Sequence, residues 1–185
     1  MMLKKIARTM AYIGSIITGF YLFASAPGFH KREKWQHLTG WDYAHRGLHD
    51  NEHGIPENSM AAFQRAVDKG YGIELDVHLT ADNQLVVFHD DTLTRMCGIN
   101  KKISGFLYSY LQQLRLLGTG EGIPLFKDVL ALVDGKVPLI IELKVDGSNQ
   151  NLLCPLVWQL LSGYKGSYCI ESFHPSVLQW FKRHQ

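Results

Sequence analysis

The run Ile73-Glu74-Leu75-Asp76-Val77 sets two carboxylates two residues apart in an otherwise apolar stretch. On a β-strand the period of two sends both carboxylates to one face, while Ile73, Leu75 and Val77 pack on the other. Leu139-Ile140-Ile141-Glu142-Leu143-Lys144 repeats the device and puts Glu142 and Lys144 on one face of a second apolar strand. A single Glu in a strand reads more simply as a salt bridge or a cap. Three inward carboxylates in two apolar strands are different, because burying unpaired ionised groups costs several kcal/mol each and calls for a cation or a set of basic partners. Glu74, Asp76 and Glu142 would form an all-oxygen ligand set, which suits one hard divalent cation, Mg²⁺ or Ca²⁺, better than zinc.

Two histidines end apolar runs in the same way, His45 in Ala44-His45-Arg46-Gly47 and His89 in Val86-Val87-Phe88-His89-Asp90. Histidine titrates near neutral pH, so a pair beside a metal can serve as general acid and general base. Arg46 offers a planar fork of N–H donors to phosphate oxygens, and Lys144 adds a point charge. Together with a divalent ion they would stabilise the negative charge that builds on a phosphodiester under attack. The other seven histidines, among them His49, His53, His78 and His174, are read as non-catalytic.

These groups need a scaffold that delivers strand ends to one place. After a connector over 30–42, short β-like runs alternate with helical patterns, which indicates an α/β fold with a parallel sheet and crossover helices. Strands are expected at Trp41 to Ala44, Tyr71 to Leu79, Gln84 to Phe88, Val137 to Leu143 and Ser167 to Phe173. Helices are expected from an N-cap at Ser59 to Lys69 with Gly70 ending it, over Leu107 to Leu117, from Pro124 to about Val133, and over Asn151 to Leu161 and Pro175 to Arg183. That makes five β/α units, with catalytic groups at the carboxyl ends of the strands.

The chain has 185 residues, 46% of them apolar and 19% charged, and a formal net charge of +2, the profile of a globular protein without a basic stripe for nucleic acid. Cys97, Cys154 and Cys169 are odd in number and lack metal spacing, which argues against a disulfide framework and a structural zinc site and favours buried or semi-buried thiols. Residues 1–29 read as a membrane segment: Lys4, Lys5 and Arg8 precede an uncharged stretch from Thr9 to Phe29 that includes the mostly apolar run Met10 to Phe23. Ala24-Ser25-Ala26 resembles a cleavage site, but Pro27 behind it obstructs cutting, so a retained single-pass transmembrane helix is favoured over a cleaved signal. Lys31, Arg32 and Lys34 balance the upstream cations, and likeness to signal sequences alone tips the expectation toward an extracytoplasmic domain.

The ordered set His45-Arg46-Gly47, Pro56-Glu57-Asn58-Ser59, Glu74-Leu75-Asp76-Val77, Val86-Val87-Phe88-His89-Asp90, Leu93-Thr94-Arg95, Ile141-Glu142-Leu143-Lys144 and Ser172-Phe173 resembles the glycerophosphodiester phosphodiesterase family. The resemblance covers residues 43–185. It implies a TIM-type barrel with an insertion at about 93–122, metal ligands Glu74, Asp76 and Glu142, an acid/base pair His45 and His89, and phosphate contacts from Arg46 and Lys144. The implied reaction is hydrolysis of a glycerophosphodiester to glycerol phosphate and an alcohol, one histidine deprotonating the neighbouring glycerol hydroxyl and the other protonating the leaving group.

The chain departs from the pattern in length, since a (β/α)₈ barrel takes ~200–250 residues and the sequence shows about five units. The expected barrel is therefore incomplete, with open edges at its first and fifth strands through which chains could self-associate. Two alternatives follow: an inactive or binding-only truncated fragment, or a related phosphodiesterase acting on membrane lipids.

Overall fold

The computed structural model describes residues 9–12, 14–19 and 35–184, and the chain divides into two units, Met1–Gln36 and His37–Gln185. In the first unit, residues 9–12 and 14–19 are helical and exposed. Among the described residues, no helix is long and apolar enough to cross a membrane. The expected membrane segment lies largely outside the described residues, which omit 1–8, 13 and 20–34.

The second unit carries the sheet. Strand β1 is Tyr43–His45, β2 Gly72–Leu79, β3 Leu85–Val87, β4 Leu139–Leu143 and β5 Tyr168–Glu171. The longer helices are α1 Met60–Lys69, α4 Phe126–Val133, α5 Gln150–Leu161 and α6 Pro175–His184, with the four-residue turns α2 Thr94–Cys97 and α3 Tyr108–Leu111 between. The strand order is β1-β2-β4-β5, every neighbouring pair is parallel, and β1 and β5 are the edges of this row.

The third expected unit is corrected. β3 does not run parallel to the others but folds back antiparallel on the end of β2, pairing Val77 with Val87 and Leu79 with Leu85. Only Thr80 to Gln84 separate the two strands, and a parallel crossover needs a dozen residues or more. The turn closes on itself: Thr80 Oγ1 donates to Asp82 Oδ1 at 2.6 Å and accepts from the Gln84 amide at 2.9 Å. The fold is therefore four parallel strands plus a hairpin, and the return from β3 to β4 runs through the segment expected as an insertion. Instead of one helix over Leu107 to Leu117, that segment holds α2, a 3₁₀ turn over Ile103–Gly105, α3 and a 3₁₀ turn over Leu116–Gly118. It buries its own small cluster, with Leu93, Met96, Ile103, Leu111 and Leu116 against Val86 and Phe88 of the β3 arm.

Elsewhere the expected helices form for the expected reasons. Ser59 Oγ accepts from the Ala62 amide at 3.1 Å, and Gly70 ends α1 with φ 71°. Phe63 and Ala66 of α1, Val129 and Val133 of α4, Val157 of α5 and Phe181 of α6 pack with Ile73, Leu75, Val77, Leu139 and Ile141 in one apolar cluster. The odd-numbered residues of β2 and β4 thus face helices, and the intervening carboxylates face the other side of the sheet.

Candidate active site

The ladders set the acidic groups side by side. Asp76 is opposite Glu142 across β2 and β4, Glu142 is opposite Glu171 across β4 and β5, and His45 is opposite Glu74 across β1 and β2. Oxygens of Glu74, Asp76 and Glu142 all lie within 4.8 Å of one another. Asp76 and Glu142 are buried, and the Glu74 side chain is 12% exposed. Lys144 Nζ bridges two of them, at 3.0 Å from Asp76 Oδ1 and 2.7 Å from Glu142 Oε2. Glu74 has weaker support, the Arg46 amide donating to Oε2 at 3.0 Å and His45 Nε2 standing 3.9 Å away. Burial and then the adjacent Asp76 push the Glu74 carboxyl up to about 7. Asp76 Oδ1 is buried yet forms no hydrogen bond of good geometry. Crowded, under-neutralised oxygens of this kind fit a hard divalent cation, which would satisfy them together.

The turn after β1 brings in Arg46. Arg46 has φ 59° and Gly47 φ 79°, and a Cβ on Gly47 would meet the Ala62 Cβ at 2.9 Å. Glycine at this position lets the turn lie flat on α1. The twisted backbone aims the Arg46 amide at Glu74 while its carbonyl accepts from the Asn58 amide at 2.9 Å. The Arg46 side chain is 17% exposed, with Nη1 donating to Glu57 Oε1 at 2.8 Å and Nε 3.8 Å from Asp76. His45 is 68% exposed, and partial burial with the nearby Arg46 lowers its pKa. His89 sits just past β3, its Nδ1 2.7 Å from Asp90 Oδ1. Since an ionised Asp90 can only accept, Nδ1 carries the proton and Nε2 is the free nitrogen of the neutral ring. The structure therefore brings all seven predicted residues to the carboxyl-end region of one sheet.

A sequence model described as the glycerophosphoryl diester phosphodiesterase family matches residues 45–183. The chain belongs to this family. A lysophospholipase D of Rattus norvegicus is 36% identical over 165 residues, which cover 82% of this chain and 50% of the relative. A putative glycerophosphodiester phosphodiesterase of Bacillus subtilis is 40% identical over 148 residues, 75% of this chain and 59% of the relative. Among solved structures, an Oleispira antarctica phosphodiesterase in complex with the product sn-glycerol-3-phosphate superposes with a TM-score of 0.71 at 25% identity, covering 79% of this chain and 62% of that one. A glycerophosphodiester phosphodiesterase from Parabacteroides distasonis gives 0.67 at 34% identity, covering 78% and 60%. The chain spans about half the length of the rat relative and about three-fifths of the other three. The likeness places the parallel sheet and its helices in a TIM-barrel-like α/β fold.

Within this family frame, several residues acquire jobs that the motif pattern alone did not assign. Asn58, at φ 54°, donates from Nδ2 to Asp76 Oδ2 at 2.8 Å and so fixes one ligand candidate. Glu57 lies under two arginines: Arg95 Nη1 donates to Oε2 at 2.8 Å and Nη2 to Oε1 at 2.7 Å, beside the bond from Arg46. Arg95 also holds Asp90, from Nε at 2.8 Å and Nη2 at 2.8 Å. Glu171 is a fourth carboxylate, exposed at the end of β5, where it lines a cavity of about 160 Å³ with Glu142, Ser172 and Phe173. His78 is buried and donates from Nε2 to the His89 carbonyl at 3.3 Å, a bracing role rather than a chemical one. The three cysteines are free, and burial raises each thiol to about 11. Cys154 is buried and Cys97 and Cys169 are half-buried, and thiols shifted upward in this way carry little thiolate at neutral pH.

Proposed function

We propose that this chain hydrolyses glycerophosphodiesters to glycerol phosphate and an alcohol with the help of one divalent cation, Mg²⁺ or Ca²⁺. The observation that carries the reading is the cluster of Glu74, Asp76 and Glu142 within 4.8 Å, flanked by Lys144 and Arg46. These three carboxylates would hold the cation, which supplies charge stabilisation to the phosphoryl oxygens when bound. Arg46 and Lys144 contact the phosphate and orient it. One of His45 and His89 takes the proton of the glycerol hydroxyl beside the phosphate as its oxygen bonds to phosphorus. The other protonates the departing alcohol oxygen as its bond to phosphorus breaks. Water then opens the cyclic phosphate with the two histidines exchanging roles.

The full chain should release glycerol phosphate from glycerophosphocholine in Mg²⁺ or Ca²⁺, and lose that turnover in EDTA and in His45→Ala and Glu74→Ala. Binding of metal without turnover would overturn the reading in favour of a binding-only fragment. The name of the rat relative gives a second reading, in which a lysophospholipid is cleaved instead. Faster release of choline from lysophosphatidylcholine than from glycerophosphocholine would decide for it.

The reading also places residues 1–29 in a membrane as a single-pass anchor with the catalytic domain extracytoplasmic, supported by the uncharged stretch and its basic flanks. Carbonate-resistant membrane association and protease access from outside test it. Self-association at the β1 and β5 edges is read from the mass of the chain in solution.

A further inference from the structure

Arg46, proposed to contact the phosphate, and His89, one of the two histidines proposed to move protons, sit on different arms of the fold, the first after β1 and the second after β3. A continuous set of charge-assisted hydrogen bonds joins them: Arg46 to Glu57, Glu57 to Arg95, Arg95 to Asp90 and Asp90 to His89, each with a contact of 2.7 to 2.8 Å. We propose that Arg95 is a positioning residue that locks Arg46 and His89 into one frame through its two carboxylate partners, Glu57 and Asp90. The inference builds on the proposed phosphodiesterase activity.

The hydrogen bonds and ion pairs of the Arg95 guanidinium go to Glu57, Asp90 and Met96 and to none of Glu74, Asp76 and Glu142. This guanidinium is the only group among the described residues that bonds both Glu57 and Asp90. Glu57 is buried at 6% exposure and accepts from both arginines, so its carboxylate fixes the rotation of the Arg46 fork. Asp90, fixed in turn by Arg95, holds the proton of His89 on Nδ1 and leaves Nε2 for chemistry. The device depends on guanidinium geometry. A lysine at position 95 keeps the charge but cannot reach both carboxylates with paired bonds.

The test uses the full chain with Mg²⁺, comparing wild type with Arg95→Lys, Glu57→Gln and Asp90→Asn. Three quantities are read: steady-state kinetics on glycerophosphocholine, affinity for inorganic phosphate, and the ¹⁵N resonances of the His89 ring. Arg95→Lys should lower kcat/KM by roughly 10- to 100-fold, the scale of a small misplacement of reacting groups. It should also weaken phosphate binding and mix the His89 tautomers. Glu57→Gln should act mainly on phosphate affinity and KM, and Asp90→Asn mainly on kcat and the ring resonances. Unchanged phosphate affinity and ring resonances in Arg95→Lys would overturn the proposal, as would variants that shift only Tm. If Arg95→Lys fails to fold, the split between Glu57→Gln and Asp90→Asn decides, and its absence counts against the clamp. A wild-type chain without turnover would sink the activity, while phosphate affinity and the ring resonances still judge the clamp.

Discussion

Two carboxylate centres lie on neighbouring parts of this molecule and have opposite charge balance. At Glu57 one buried anion sits beneath two guanidinium groups, and burial is outweighed so that its carboxyl titrates near 2. At the sheet, Glu74, Asp76 and Glu142 share Lys144, and Glu74 is pushed up to about 7. The first centre is electrically complete with the side chains present. The second carries an anionic surplus that a proton on Glu74 or a bound cation would balance, which is the difference between a closed ion-pair centre and a candidate ligand site.

The contrast is broken most strongly at Glu74. Its folded-state value lies above the ordinary unfolded value near 4.3, so ionisation at pH 8 costs stability in the absence of metal. Glu74→Gln removes a repelling charge and is expected to raise the metal-free Tm by roughly 2–6 °C at pH 8. The same change should abolish the added stability that Mg²⁺ or Ca²⁺ gives the wild type, and lower turnover by 10³-fold or more on the order expected for a lost ligand. Thermal melts with and without metal check it. A lower metal-free Tm would show that the surplus is already neutralised by the protein.

At the clamp the same kind of change should do the reverse. Glu57→Ala strands Arg46 and Arg95, and is expected to destabilise by ~2–3 kcal/mol. That is below the figure for a fully buried pair because the Arg95 side chain is 43% exposed and partly screened by water. The sign of the pH dependence sharpens the test. Glu57 and Asp90 both titrate near 2 when folded, below their unfolded values of about 4.3 and 3.9. Their contribution is therefore complete above about pH 5 and is lost as pH falls toward 2. Denaturant melts between pH 6 and pH 2.5 should show a steeper loss in the wild type than in Glu57→Ala.

The ligand side of this comparison was legible in the sequence because it rests on a period. Alternation along Ile73 to Val77 and Leu139 to Lys144 carries Glu74, Asp76 and Glu142 to one face whatever the rest of the fold does. The clamp was not legible, because Glu57, Asp90 and Arg95 sit in loops and a short turn where no period constrains direction. The motif set contained Glu57, Asp90 and Arg95, but nothing in their spacing said that the three meet. The antiparallel β3 could have been read: Leu79 and Gln84 stand too close for a crossover, and Thr80, Asp82 and Asn83 are turn formers.

Glu171 borders the carboxylate cluster from β5, and it gives the smallest expected effect. It ends an apolar strand as Glu142 does and lies opposite it in register, a signal of the same type that was equally available in Tyr168-Cys169-Ile170-Glu171. Burial raises its pKa, and Glu142 and Asp76 add to the shift, so it feels the same surplus. It is nevertheless exposed, and water screens much of that field. If Glu171 only adds to the potential around the cation, Glu171→Gln should weaken Mg²⁺ or Ca²⁺ affinity by about threefold or less, a change of under about 0.7 kcal/mol. Turnover at saturating metal should stay within about twofold. A loss of tenfold or more in affinity would instead make Glu171 a ligand in its own right and extend the cation site across three adjacent strands.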